Sequence, residues 1–162
     1  MSRHRVSWAL AATTVLLAAG CGETGSEGME GMEESAEAEM PAPPSGPHSV
    51  SFASPQEGDT IRGGTVQVVL EVSGLQIVQA GIMDPNTGHH HLYLDAELTP
   101  LDVAVPAGVA GITHMGLAQT EYTFEGVAPG QHRLIAVVGD GAHVPLSPPV
   151  VDTVTFTVVA VP

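Results

Sequence analysis

The chain is expected to fold as an all-β sandwich, and three observations point there. From His48 onward, short apolar runs alternate with polar residues at a period of two, as strands with one buried face do. Turn-forming clusters ("PQEGD", "VSG", "DPNTG", "APG" and "GDG") separate these runs. No segment repeats its apolar residues at helical spacing. Residues 48–162 therefore read as an antiparallel sandwich of about seven strands in the immunoglobulin or fibronectin type III style, with a small barrel as the alternative.

The elements follow in order. Strands are predicted at 49–53 ("SVSFA"), 65–72 ("TVQVVLEV"), 89–95 ("HHHLYLD"), 119–125 ("QTEYTFE"), 131–138 ("QHRLIAVV") and 151–159 ("VDTVTFTVV"), with a short one near 101–105. In sandwiches of this kind a "PG" turn is followed two residues later by a Tyr that bonds back to the backbone. Here that slot holds His132, followed on the same face by Leu134, Ala136 and Val138, so His132 is expected to be a structural corner residue. The final strand runs into "VAVP" and could be an edge or a central strand.

The N-terminal region reads differently. Residues 1–20 have Arg3 and Arg5 ahead of a short apolar core, "VSWALAATTVLLAA", as an export signal does. "AAGC" then resembles a bacterial lipobox, with Ala18 where Leu is commoner. On that resemblance Cys21 is the lipidated first mature residue, and the membrane partner is reached through its lipid. Cys21 is the only cysteine, so no disulfide can form within the chain. The expected location is extracytoplasmic, on the periplasmic side of an outer membrane or at the cell surface. Residues 21–47 hold seven Glu, no basic residue and a Pro-rich exit, and are expected to be a disordered tether. Its Met29, Met32 and Met40 read as spacer rather than as Cu(I) ligands.

All 18 acidic residues follow Cys21, against Arg62 and Arg133 and no lysine at all. Such a charge repels nucleic acid and anionic lipid headgroups, which removes both as partners. No G-x-S-x-G, H-E-x-x-H or phosphate-binding loop is present, and no enzyme is expected.

The histidines carry what chemistry there is. In "HHHLYLD", period two places His90, Leu92 and Leu94 on one face and His89, His91, Tyr93 and Asp95 on the other. The leucines mark the core side, so His90 is expected at the core's edge. His89 and His91 project together, with Cβ atoms about 7 Å apart, close enough for two imidazoles to meet one ion. His114, in the loop of "GITHMGLAQTE", and His143, in "GDGAHVPLSPPV", could join them if the strand order brings those loops to one end. His89, His91, His114 and His143 suit Cu or Zn in type and number, with Asp140 and Met115 as possible further ligands. The competing reading is a structural polar network in a module that meets another envelope protein. A hydrolytic zinc site using Asp95, Asp140 or Glu121 is a lesser alternative.

The pieces "SFASPQEGDTI", "NTGHHHLYLD", "THMGLAQTEYTF", "PGQHRLIAVVGDGAHVP" and "PPVVDTVTFTV" resemble, in order, the bacterial family known as domain of unknown function 4399. The resemblance spans nearly all of 50–159 and implies a small exported all-β domain, often on lipoproteins, without an assigned activity. The chain departs from the pattern at Met115, where an aromatic is commoner.

Overall fold

The computed structural model describes residues 46–162. The expected export signal, Cys21, the tether methionines and all but the last two residues of the expected tether lie outside them. Nine strands run in order: β1 (Ser49–Ser54), β2 (Thr60–Arg62), β3 (Val66–Ser73), β4 (Gln76–Ile77), β5 (Thr87–Leu94), β6 (Ile112–Met115), β7 (Glu121–Phe124), β8 (Gly130–Gly139) and β9 (Val151–Val159). No helix occurs among the described residues.

The strands form two sheets. One has three strands in the order β1-β3-β7, and the other has the order β2-β9-β8-β5-β4, with β6 also paired to β5. The long pairings are antiparallel, as expected, while β2 joins β9 and β4 joins β5 in short parallel pairs. Because β8 occupies one edge of β5, β4 and β6 share the other, one after the other along it. The last strand is not an edge, since β8 and β2 flank it.

Alternation builds the core. Val50 and Phe52, Val66, Val68 and Leu70, Leu134, Ala136 and Val138, and Val154, Phe156 and Val158 all point between the sheets. Leu92 and Met115 join them from β5 and β6. Apolar burial of this kind is the main term holding a disulfide-free sandwich together.

β5 departs from simple alternation: Gly88 to Tyr93 are all buried. Its inner face meets the main core, and its outer face is covered as well. The segment 95–111 folds back across the outside of the larger sheet, where Val105 packs with Tyr93, Ile135 and Val137, and Ala96, Leu101, Ile112 and Val151 border them. The short strand expected near 101–105 is therefore a turn and lid segment instead. Its apolar residues serve burial against the sheet without pairing into it.

His132 sits as the corner residue the sequence implies. Its Nε2–H donates to the Ala128 carbonyl at 2.8 Å and its Nδ1–H to Asp95 at 2.7 Å, while its ring stacks on Phe156 with centroids 5.6 Å apart. Burial alone pulls His132 down, but the hydrogen bonds to Asp95 and Ala128 and the Asp95 charge outweigh it and raise the pKa. Both ring nitrogens face acceptors, which is the arrangement that favours the protonated ring.

Candidate metal centre

Four imidazoles meet on the outer face of the larger sheet. His89 and His91 are successive outward residues of β5, one pleat apart. His114 lies on β6, directly opposite His91 in the antiparallel register. His143 comes from the turn after β8 and bends over the same face. One nitrogen from each of the four lies within 4.8 Å of those of the other three. The six ring-centroid separations run from 4.7 Å (His89 to His91) to 5.6 Å (His91 to His143). The sequence placed His114 in a loop and sought convergence at one end of the sandwich. The histidines in fact converge on a sheet face, because β6 pairs with β5 and carries His114 beside His91.

Local backbone features make room for the rings. Residue Gly139 is the β8 partner of His89. A Cβ on Gly139 would come within 3.2 Å of the His91 ring and 3.3 Å of the His143 carbonyl carbon. Just after β6, a Cβ on Gly116 would lie 2.6 Å from Nε2 of His114. The turn that presents His143 places that residue in the left-handed region, at φ 69°, which few non-glycine residues adopt. Asp140 holds the turn: its Oδ1 accepts from the amides of Ala142 at 2.8 Å and Val144 at 2.9 Å. The amide of His143 donates to the Asp140 carbonyl at 2.9 Å, and the His143 carbonyl accepts from Val105 at 2.9 Å. The lid over the second core thus braces the fourth histidine.

Other residues weighed from sequence fall elsewhere. Met115 follows His114 on the strand and so points the opposite way, into the main core, fully buried and in register with His90. It is not a ligand of the cluster. The Asp140 carboxylate is engaged with backbone amides and acts as a positioning residue. Asp95 is bound to His132 and to the Arg133 amide, and Glu121 lies on β7 in the other sheet. Neither joins the four histidines, so the hydrolytic constellation drawn from them is not assembled.

The cluster is electrostatically unsuited to protons. His89 and His91 are buried, with both ring nitrogens of each lacking a hydrogen-bond partner among the described residues. Burial first, then the proximity of His143 and His114, pushes His89 down to about 4, against a smaller opposing pull from Asp140. His91 is pushed to about 3 by burial and by His89, His114, His143 and His90. His114, exposed on one side, is lowered by its partial burial and by His143. Near neutral pH these three rings are uncharged, the form that donates a lone pair to a metal. His90 also has two unpartnered nitrogens but lies on the core face, its pKa pushed to about 4 by burial and by His89.

A cleft of about 280 Å³ opens onto the cluster, lined by His91, His114 and His143 together with Val105, Pro106 and Ile112. It provides a path from solvent to the ring nitrogens. The Gly116 contact yields a direct prediction. Gly116→Ala is expected to swing the His114 ring away, weakening metal binding by about 10–100-fold, as loss of a supporting outer partner does. The ring is exposed on its outer side and can move into solvent, so the urea midpoint should shift little. Calorimetric titration beside urea unfolding reads both.

Comparison with solved structures finds similarities at low identity. The fibronectin(III)-like modules of Clostridium thermocellum CbhA align at 15% identity over 70% of this chain and 99% of theirs, with a TM-score of 0.43. A PKD domain of human KIAA0319 aligns at 13% identity over 85% of this chain and 95% of its own, with a TM-score of 0.38. An engineered protein aligns at 12% identity and a TM-score of 0.43 over 70% of this chain, which spans only 20% of that protein. No curated protein matches the sequence. The family described as Domain of unknown function (DUF4399) matches residues 68–159, more than half of the chain, and takes in β5, β6, β8 and all four clustered histidines. The chain belongs to that family.

Proposed function

We propose that this is a metal-binding domain, carried outside the cytoplasm on a lipid anchor at Cys21, which holds one transition-metal ion through His89, His91, His114 and His143. One observation carries the reading: four imidazoles from β5, β6 and the turn after β8 bring one nitrogen each within 4.8 Å of the others. Two of those rings, His89 and His91, are buried with no hydrogen-bond partner among the described residues. A buried polar group left unpaired costs about 1–3 kcal/mol, a cost that coordination of an ion by these rings offsets. Against the competing reading, a structural polar network, neither His89 nor His91 bonds a carbonyl or carboxylate among the described residues. Binding rather than catalysis follows from the donor set. Four protein ligands complete a four-coordinate shell, whereas a catalytic zinc keeps a position open.

Calorimetric titration of the tag-free chain with Zn(II) and Cu(II) tests the reading. Tight one-to-one binding is expected at pH 7.4, falling steeply toward pH 5 as protons compete for the rings. Binding no tighter than that of scattered surface histidines would remove the reading. A Cys21→Ala chain recovered in the soluble rather than the membrane fraction would support the anchor. Met83 and Leu117 favour a second reading, an interaction surface for an envelope protein. They are 63% and 74% exposed, and the loop leading to Met83 is bridged to Leu117 through Gln79.

A further inference from the structure

We infer that the four-histidine site is built for a tetrahedral ion, which makes Zn(II) its cargo rather than Cu(II); this rests on the metal-binding reading above. The argument is geometric. With a metal–nitrogen distance of about 2.05 Å, and about 1.15 Å more to the ring centre, each imidazole centroid lies about 3.2 Å from a bound ion. Four such centroids at the corners of a tetrahedron are all about 5.2 Å apart. In a square plane, four pairs would be about 4.5 Å apart and two about 6.4 Å. Octahedral sites share the long distance, because any four corners of an octahedron include at least one opposite pair.

The six observed separations are 4.7, 5.0, 4.9, 5.3, 5.6 and 4.8 Å. They bracket the tetrahedral value. The longest falls well short of an opposite pair. Four points with six nearly equal separations cannot be coplanar, so the rings already stand at the corners of a tetrahedron.

The fold sets this arrangement. His89 and His91 are fixed one pleat apart on a strand paired along both edges, and His114 is fixed by its register with His91. The Asp140 turn and the Val105 amide fix His143 from above. To reach a square plane, two pairs of rings would each have to separate by nearly an ångström or more, away from the positions that the β5–β6 register and the Asp140 turn give their backbones. Zn(II) has no geometric preference of its own and accepts four nitrogens tetrahedrally, whereas Cu(II) favours tetragonal sites. Cu(I) favours sulfur, and the nearest methionine in sequence, Met115, faces the opposite side of the sheet. A flexible histidine set would prefer Cu(II) by intrinsic affinity, so fixed geometry is the means by which this chain can hold zinc.

The test uses Co(II), which fills zinc sites and reports their geometry in its visible spectrum. Tag-free chain titrated with Co(II) is expected to show the intense bands of a four-coordinate tetrahedral centre, saturating at one equivalent and bleached by Zn(II). Its affinity ratio of Cu(II) to Zn(II) should fall below that of a flexible four-histidine peptide. His114→Ala, checked for folding by circular dichroism, should weaken Co(II) binding beyond the roughly 10–100-fold that loss of an outer partner causes. A weak six-coordinate spectrum, with binding that still requires all four histidines, would overturn the tetrahedral inference and leave the metal site standing. Failure to bind Co(II), Zn(II) or Cu(II) would overturn both.

Discussion

Saturation with Zn(II) is expected to raise the melting temperature of the domain by roughly 10 °C, and the His89→Ala/His91→Ala chain should not respond. An ion that binds only the folded chain stabilises it by about 2.7 kcal/mol at a free concentration 100 times its Kd. For a domain of this size each kilocalorie is worth several degrees, about 3–6 °C. The two alanines remove half of the ligands and the two rings that are buried. They also remove four unpartnered nitrogens from the fold, so the metal-free double variant need not be less stable than its parent. Differential scanning calorimetry, with zinc and with chelator, separates the two contributions. An equal rise in parent and variant would place the zinc elsewhere on the chain.

The second large effect is acid lability of the metal-free chain. His89 and His90 are pushed to about 4 and His91 to about 3, chiefly by burial. In the unfolded chain these rings titrate near their ordinary value of about 6.5. Between those limits the unfolded chain binds more protons than the folded one, so stability rises with pH across that window. The contribution of the three rings is complete above pH 6.5 and is lost as pH falls through 4 and then 3. His132 works the other way: its pKa is raised, so its contribution is complete below about 6.5 and is lost as pH rises through the folded value. His114, also lowered, acts with the three, His132 alone opposes them, and the net expectation is a urea midpoint that falls from pH 7 to pH 4.5. His90→Leu should flatten that fall and add about 1–3 kcal/mol at neutral pH by removing unpaired buried nitrogens. It should leave zinc affinity unchanged, because His90 faces the core. A pH-independent midpoint, or zinc binding lost in His90→Leu, would contradict the assignment of faces on β5.

Much of this arrangement could be read from the chain. Strict alternation in "HHHLYLD" separates His90 from its neighbours, and the structure keeps that separation. The "PGQH" turn located the corner, where His132 bonds back to Ala128. Five of the six strands read from the sequence have six to ten residues, enough to show a period of two, and β7, with four, was legible from the alternation of the longer run around it. β2, β4 and β6 have three, two and four residues, and no longer alternating run extends them. They exist because β9 and β5 offer unpaired edges to pair with. Missing β6 had a specific consequence. Had "ITHM" been read as a strand, parity alone would have put His114 and Met115 on opposite faces and removed the methionine as a ligand.

The position of His143 was beyond sequence reasoning for another reason. It depends on a left-handed residue held by Asp140 and on a distant lid that supplies the Val105 amide. Local pattern does not encode such a tertiary bracket. The same holds for the lid itself: "LDVAV" reads as apolar, but its burial against Ile135 and Val137 depends on how the loop returns across the sheet.

A crystal of the chain grown with Zn(II), measured on both sides of the zinc absorption edge, tests the central claim most directly. One anomalous peak is predicted at the centre of His89, His91, His114 and His143, with four nitrogens at about 2.0–2.1 Å. Zinc found only at surface sites, with the four rings bonded to one another or through water, would contradict it.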